Sequence, residues 1–272
     1  MELVSPKMDF VFRELMEDAE VRRYFISDVL DMPVEEIAQT RLGNPFLRRH
    51  LQRQKQGILD VKVLLLNGTR INIELQVRRQ KFWNKRTLYY LAKMFVDVLF
   101  LGDNFDKLRR CIAINILDFN LIAGNEYHTI YRMRDERGVD FSDLLELHTI
   151  ELRKVLHGDT RVDDWIRLFN AKTQEDLDMI RTKNAGIERA KYVMQEMSLS
   201  ESVREVVTAY RKKKLDRKLE DAYVYDQGQQ QLLYELVSEG KIDMDTAVEK
   251  SGLTRQEFEE KMIDAGYHLK SV

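Results

Sequence analysis

Cysteine is almost missing from this chain: 272 residues hold one, Cys111. A lone thiol excludes an internal disulfide and fits a reducing compartment. Three prolines and twelve glycines leave little room for irregular chain and point to regular elements with short connections. No apolar run approaches the ~20 residues that span a bilayer. The first residues show no signal peptide, so the expected location is cytoplasmic, with no membrane partner. HExxH, CxxC, a glycine-rich phosphate loop and GxSxG are all absent, and none of those chemistries directs the reading. The net charge of −2 on its face argues against nucleic acid.

What is present is a soluble composition, 44% hydrophobic and 33% charged. The length suits a full core with an appendage. The charge is unevenly placed. Between Arg41 and Lys93 thirteen Lys/Arg stand against two acids, Asp60 and Glu74. A basic surface around a carboxylate pair suits a polyanion held for metal-assisted chemistry. A solvated β-surface with long basic side chains is the competing reading.

Those two acids lie on GILDVKVLLLNGTRINIELQ, residues 57–76. Asn67-Gly68 between two β-prone runs is a hairpin signal. Leu59, Val61, Val63 and Leu65 alternate onto one face, leaving Asp60 and Lys62 opposite. Ile71, Ile73, Leu75 and Val77 do the same, leaving Asn72, Glu74 and Gln76. An Asp and a Glu so placed can hold a divalent cation through hard oxygen ligands. The loop length decides whether they meet. A two-residue loop sets Asp60 against Leu75 and no site forms. A three-residue loop, Leu66-Asn67-Gly68 with Gly68 left-handed, sets Asp60 against Glu74. The longer loop, or an equivalent bulge, is expected.

Around the hairpin the pattern alternates helices and strands. Ser5-Pro6 reads as a helix start; Met8, Val11, Phe12, Leu15 and Met16 follow at helical spacing, with Asp9, Arg13 and Glu14 polar. A second helix is expected over 19–31. Residues 43–56 are polar and basic, and His50 there reads as a surface residue. Arg78, Arg79 and Lys81 form a basic connection into a helix over 83–101. Its expected buried stripe is Leu88, Leu91, Ala92, Phe95, Val96, Leu99 and Phe100. A second stripe, Arg86, Tyr90, Lys93 and Asp97, offers Arg86 and Lys93 to phosphates or to plain solvent. Residues 111–119 read as a central buried strand, 126–134 as an outer strand and 145–152 as another. His128 and His148 lie in strands without a partner at zinc spacing. From about 159 the pattern is helical. A helix–Gly–helix unit at about 231–266 resembles a helix-turn-helix. Its last helix is acidic, which favours packing or dimerisation over DNA reading.

Six blocks in order, SPKMDFVFRELM, ILDVKV, RINIELQV, RTLYYLAKMF, AINILDF and HTIEL, resemble the PD-(D/E)XK nuclease family transposases, also called recombination-promoting nucleases. The resemblance is strong over about 1–155 and weaker along the tail. It implies an α/β, restriction-endonuclease-like fold. A mixed central sheet is flanked by helices over 1–158, and an all-helical region follows over 159–272. It implies Asp60 and Glu74 as ligands of Mg²⁺ (or Mn²⁺ or Ca²⁺), with Asp9 as an additional acid and Glu14 its competitor. Gln76 stands where the wider superfamily has Lys, and Lys62 is the candidate to supply the missing charge. The implied activity is a metal-dependent DNA endonuclease, in transposition or recombination. Arg78, Arg79, Lys81, Arg86, Tyr90 and Lys93 would face DNA, and a homodimer is an expected assembly. Two alternatives stand beside it: a catalytically weak or inactive DNA-binding or assembly protein on the same scaffold, and an interaction module whose basic hairpin meets an acidic protein.

Overall fold

The computed structural model describes residues 3–37, 40–42, 60–158 and 160–268. The polar segment 43–56, with His50, lies outside them. The chain divides into two compact units, Met1–Ser200 and Glu201–Val272.

In the first unit, α1 (Asp9–Glu17) and α2 (Ala19–Leu30) are joined through Asp18. The Asp18 carboxylate accepts from the Glu20 and Val21 N–H groups and caps α2. Val11, Phe12, Leu15 and Met16 are buried, as their helical spacing predicts. The helix starts later than Ser5-Pro6 suggests. Ser5 to Met8 form a turn closed by the Met8 N–H on the Ser5 carbonyl at 3.1 Å. That turn lets the Lys7 ammonium reach Asp118 (2.9 Å) and Asn170 (2.7 Å).

Among the described residues, six strands make one mixed sheet: β1 (Thr40–Leu42), β2 (Val61–Leu65), β3 (Arg70–Gln76), β4 (Cys111–Leu117), β5 (His128–Arg134) and β6 (Asp140–Glu151). Their order is β1-β2-β3-β4-β6-β5. β3, β4 and β6 are parallel to one another, and antiparallel pairs flank them. All seven residues of β4 are buried, as a strand covered on both faces requires. Parallel strands end on one side of a sheet, where α/β proteins place their sites. At the end of β3 stand Glu74 and Gln76.

The crossover from β3 to β4 is α3 (Trp83–Val96). Its buried face differs from the expected stripe. Trp83, Thr87, Leu91 and Met94 face inward, while Leu88, Val96 and Phe100 are exposed. The anchor is Trp83, which packs on Leu117 and Phe119. An indole buries more apolar area than a leucine, so it sets the rotation of the helix.

Helices α4 (Val162–Asn170), α5 (Gln174–Met179) and α6 (Ala185–Leu199) belong to this same unit, not to the separate helical region expected from 159. Phe25, Trp165 and Phe169 join α2 to α4, with ring centroids 5.2 to 6.4 Å apart. The Trp165 indole N–H donates to buried Asp28 at 2.7 Å.

The second unit holds α7 (Glu201–Ser238), α8 (Met244–Ser251) and α9 (Arg255–Asp264). Tyr234, Val237, Ala247, Phe258 and Met262 form its core. Thr254 and Glu257 cap α9 reciprocally. The helix–Gly–helix unit is present, with Gly252 left-handed between α8 and α9.

Candidate active site

Gly68 closes the hairpin at φ +84°, which only glycine adopts without cost. Its N–H donates to the Leu65 carbonyl at 3.0 Å, and the Leu65 N–H donates to the Thr69 carbonyl at 2.9 Å. The loop is therefore Leu66-Asn67-Gly68, three residues long. Register follows as Leu64↔Arg70, Val63↔Ile71, Lys62↔Asn72 and Val61↔Ile73. One step further, Asp60 stands across from Glu74. The side-chain period of two then puts Asp60, Lys62, Asn72, Glu74 and Gln76 on one face.

That face lies beneath α3. Leu91 and Met94 pack on Cys111 and Ala113, which neighbour Arg70 and Asn72 in register. The row through Glu74 continues to Asn115 and then Thr149 on the parallel strands. Both are fully buried. The sequence places Asn72 on the polar face without a role and gives no sign of Asn115, because their row exists only once three strands are aligned.

Glu74 is 3% exposed and accepts from the Asn72 amide at 3.0 Å. Burial and the charge of Asp60 push its pKa up, against the pull of Asn72 and Arg86. Asp60 lines a cavity of about 340 Å³ together with Asp9, Phe10, Phe12, Arg13, Val61 and Leu75. The residue is exposed to solvent, while the protein packed around it still disfavours its charged form. Its Oδ2 accepts from the Leu75 N–H at 3.4 Å. Burial raises its pKa and the Leu75 hydrogen bond opposes that; Asp9 adds to the rise, while Arg86 and Arg13 counter it. Two carboxylates with pKa values raised in this way carry negative charge that the protein leaves undercompensated. Hard oxygen donors in that condition fit a hard divalent cation. Among the described residues no three His, Cys, Asp or Glu side chains converge as a metal-binding group. Asp60 and Asp9 both line that cavity, and Glu74, whose pKa the charge of Asp60 raises, is not among its lining residues. Glu14, the other acid considered on α1, is exposed and does not line that cavity.

The remaining sequence candidates separate. Gln76 is buried at the end of β3. Arg78, Arg79 and Lys81 are exposed on the connection that follows. Arg86 is felt at both carboxylates; it donates to Gln80 Oε1 at 2.5 Å and lies 5.3 Å over the Tyr90 ring. Tyr90 packs partly into the Cys111 cluster. Lys93 is not on the exposed side. It is 7% exposed and 4.0 Å from buried Asp97, because the Trp83 anchor turns it inward. Lys62 is half-buried across from Asn72, and its charge bears on the Cys111 thiol. Burial pushes that thiol to about 11, which makes Cys111 an inert core residue.

The two strand histidines meet. His128 Nε2 and His148 Nδ1 are 2.9 Å apart, and His148 Nε2 is 2.8 Å from Glu146 Oε1. Arg110 and Arg132 also bind Glu146. Burial works against ionised Glu146, but hydrogen bonds from His148 and Arg132 outweigh it and hold the pKa at about 2. Burial lowers His128 to about 4. This network ties the two outer strands together. Only the β5–β6 register, with His128 opposite Ile150 and Ile130 opposite His148, brings it into being.

A mixed sheet with a Glu near the end of a parallel strand, and an Asp just before the antiparallel strand paired with it, is the frame of the PD-(D/E)XK nucleases. Residues 6–223 match the family model of the PD-(D/E)XK nuclease family transposases, and the chain belongs to that family. The match runs from before α1 into α7. No curated protein and no solved structure matches the chain. Membership sets a nuclease or transposition role, a DNA substrate class, and divalent metal ions as the general cofactor. Among the described residues no helix is long and apolar enough to cross a membrane.

Proposed function

We propose that this chain is a metal-dependent DNA endonuclease that hydrolyses phosphodiester bonds in the course of transposition or recombination. The observation that carries the proposal is the Asp60–Glu74 pairing, two undercompensated carboxylates brought into one register by the Gly68 loop. Asp60 and Glu74 would hold Mg²⁺ or a similar ion, with Asp9 as the further acid. Such an ion, when bound, polarises the phosphate and lowers the pKa of a water ligand. The chain's own groups do the rest. Gln76 orients the attacking water through its amide. Arg86, whose charge bears on both carboxylates, would stabilise the charge that builds on the phosphoryl oxygens. Arg78, Arg79 and Lys81 grip the backbone and set its position without reading sequence. The attacking water gives up one proton as its oxygen bonds to phosphorus, the bond to the leaving oxygen breaks, and that oxygen takes up one proton.

Gln76 favours one competing reading. An amide supplies no charge where a Lys would, so the scaffold could bind DNA and assemble without cutting it. Plasmid nicking separates the two. The expected result is nicking that needs Mg²⁺, stops with EDTA, and falls at least about a hundredfold in Asp60→Ala and in Glu74→Ala. Arg86→Ala is expected to lose more rate than Lys62→Ala. Unchanged nicking in both carboxylate variants sinks the proposal. Salt-dependent DNA binding with no nicking in the wild type selects the assembly reading.

A further inference from the structure

Phe82 breaks three local rules at once. Its backbone is left-handed, at φ 63° and ψ 26°. Among the described residues the only other non-glycine with positive φ is Asp31. Asp31 ends a helix, where that conformation is ordinary, and Asp tolerates it. A bulky aromatic does not. Phe82 also occupies the N-cap of α3, where a polar side chain normally accepts a backbone N–H, and it makes no such bond. Finally, it is 63% exposed.

The neighbours hold this arrangement in place. Trp83 is buried on Leu117 and Phe119. The Trp83 N–H donates to the Gln80 carbonyl at 3.2 Å, and the Arg86 N–H donates to the Phe82 carbonyl at 3.1 Å. The ring is therefore turned outward by a fixed backbone. Two ammonium groups flank it, Lys81 Nζ at 5.2 Å and Lys85 Nζ at 5.6 Å from the centroid. Residues 78–86 hold five Lys/Arg and no acid. The segment begins two residues after Gln76. Arg86, felt at both carboxylates, is one helical turn from Phe82. An apolar partner would have to desolvate both lysines to cover the ring. A nucleotide would not: its base stacks on the ring and its phosphates meet the ammonium groups.

We propose that Phe82 is a stacking platform for an unpaired nucleobase in DNA held at the Asp60–Glu74 site, with Lys81 and Lys85 on the flanking phosphates. The proposal rests on the nuclease reading and adds a preference for DNA with a base out of the stack. The test uses the full chain without metal and two duplexes, one fully paired and one with a single unpaired 2-aminopurine. Wild type is expected to bind the second about tenfold more tightly and to quench its emission. Phe82→Ala loses both effects, and Phe82→Trp keeps both. Phe82→Gly, which suits the left-handed backbone, loses both while its Tm stays at or above that of the wild type, so the loss is not misfolding. Preference and quenching retained in Phe82→Ala, or absent from the wild type while it binds both duplexes, overturn the platform alone. No affinity for either duplex at low salt overturns the nuclease reading with it.

Discussion

The surroundings of Glu74 work against its ionised form. Its folded pKa is raised above 4.5 by burial first and by Asp60 second. A carboxylate with a raised folded pKa binds protons more readily in the native than in the unfolded state. Stability from such a group is intact below the unfolded pKa and is lost as pH rises through the folded one. His128 acts in the opposite sense. Its pKa falls from 6.5 to about 4, so its contribution is present above 6.5 and is lost as pH falls toward 4. The two are separated by difference. In metal-free protein, Glu74→Gln keeps the acceptor for Asn72 and removes the charge. It is expected to melt higher than wild type at pH 7 to 8, by on the order of 1 kcal/mol. The gap should close as pH falls toward 4.5. Thermal melts of both proteins across that range check the sign; a gap that widens on acidification contradicts it.

The hairpin shows why some elements are readable in advance. In a strand the side-chain period is two, so loop length alone decides which acids share a face. Asn67-Gly68 and the flanking alternation contained the information needed to expect a three-residue loop. The helix after β3 shows the limit. Its sequence carries two plausible apolar stripes, and the choice between them depends on Leu117 and Phe119, more than thirty residues away, receiving Trp83. Local periodicity cannot contain that contact, and Lys93 went to the wrong side with it. The hairpin also makes a sharp prediction. Gly68→Ala places a Cβ 3.1 Å from the Arg109 side chain at φ +84°. The side chain can yield, but the backbone strain stays. Stability should drop by about 1–2 kcal/mol, and nicking should fall further than in a distant variant of equal instability. Gly68→Asn, which tolerates the left-handed region, should lose less of both. Chemical denaturation alongside plasmid nicking measures the pair.

Across the whole molecule, the family match over residues 6–223 runs past the expected boundary at 158 and past the division at Ser200. The helical composition after 159 was legible. That α4 to α6 pack with α1 and α2 was not, because it follows from Phe25, Trp165 and Phe169 meeting across more than 130 residues of sequence. The site has the same mixture. Asp60, Glu74 and Gln76 stand out as polar residues on an apolar hairpin, whereas Arg86 acquires its place beside them only through the α3 crossover. All of these residues bear on one physical condition, a carboxylate pair whose charge the protein leaves undercompensated. Thermal melts at neutral pH with increasing Mg²⁺ examine that condition without relying on cleavage. Wild type should be stabilised by about 1.4 kcal/mol at a tenfold excess over Kd, reversibly with EDTA, and Glu74→Gln should start higher and not respond. An equal rise in both proteins, or no rise in the wild type, would contradict a cation site at Asp60 and Glu74.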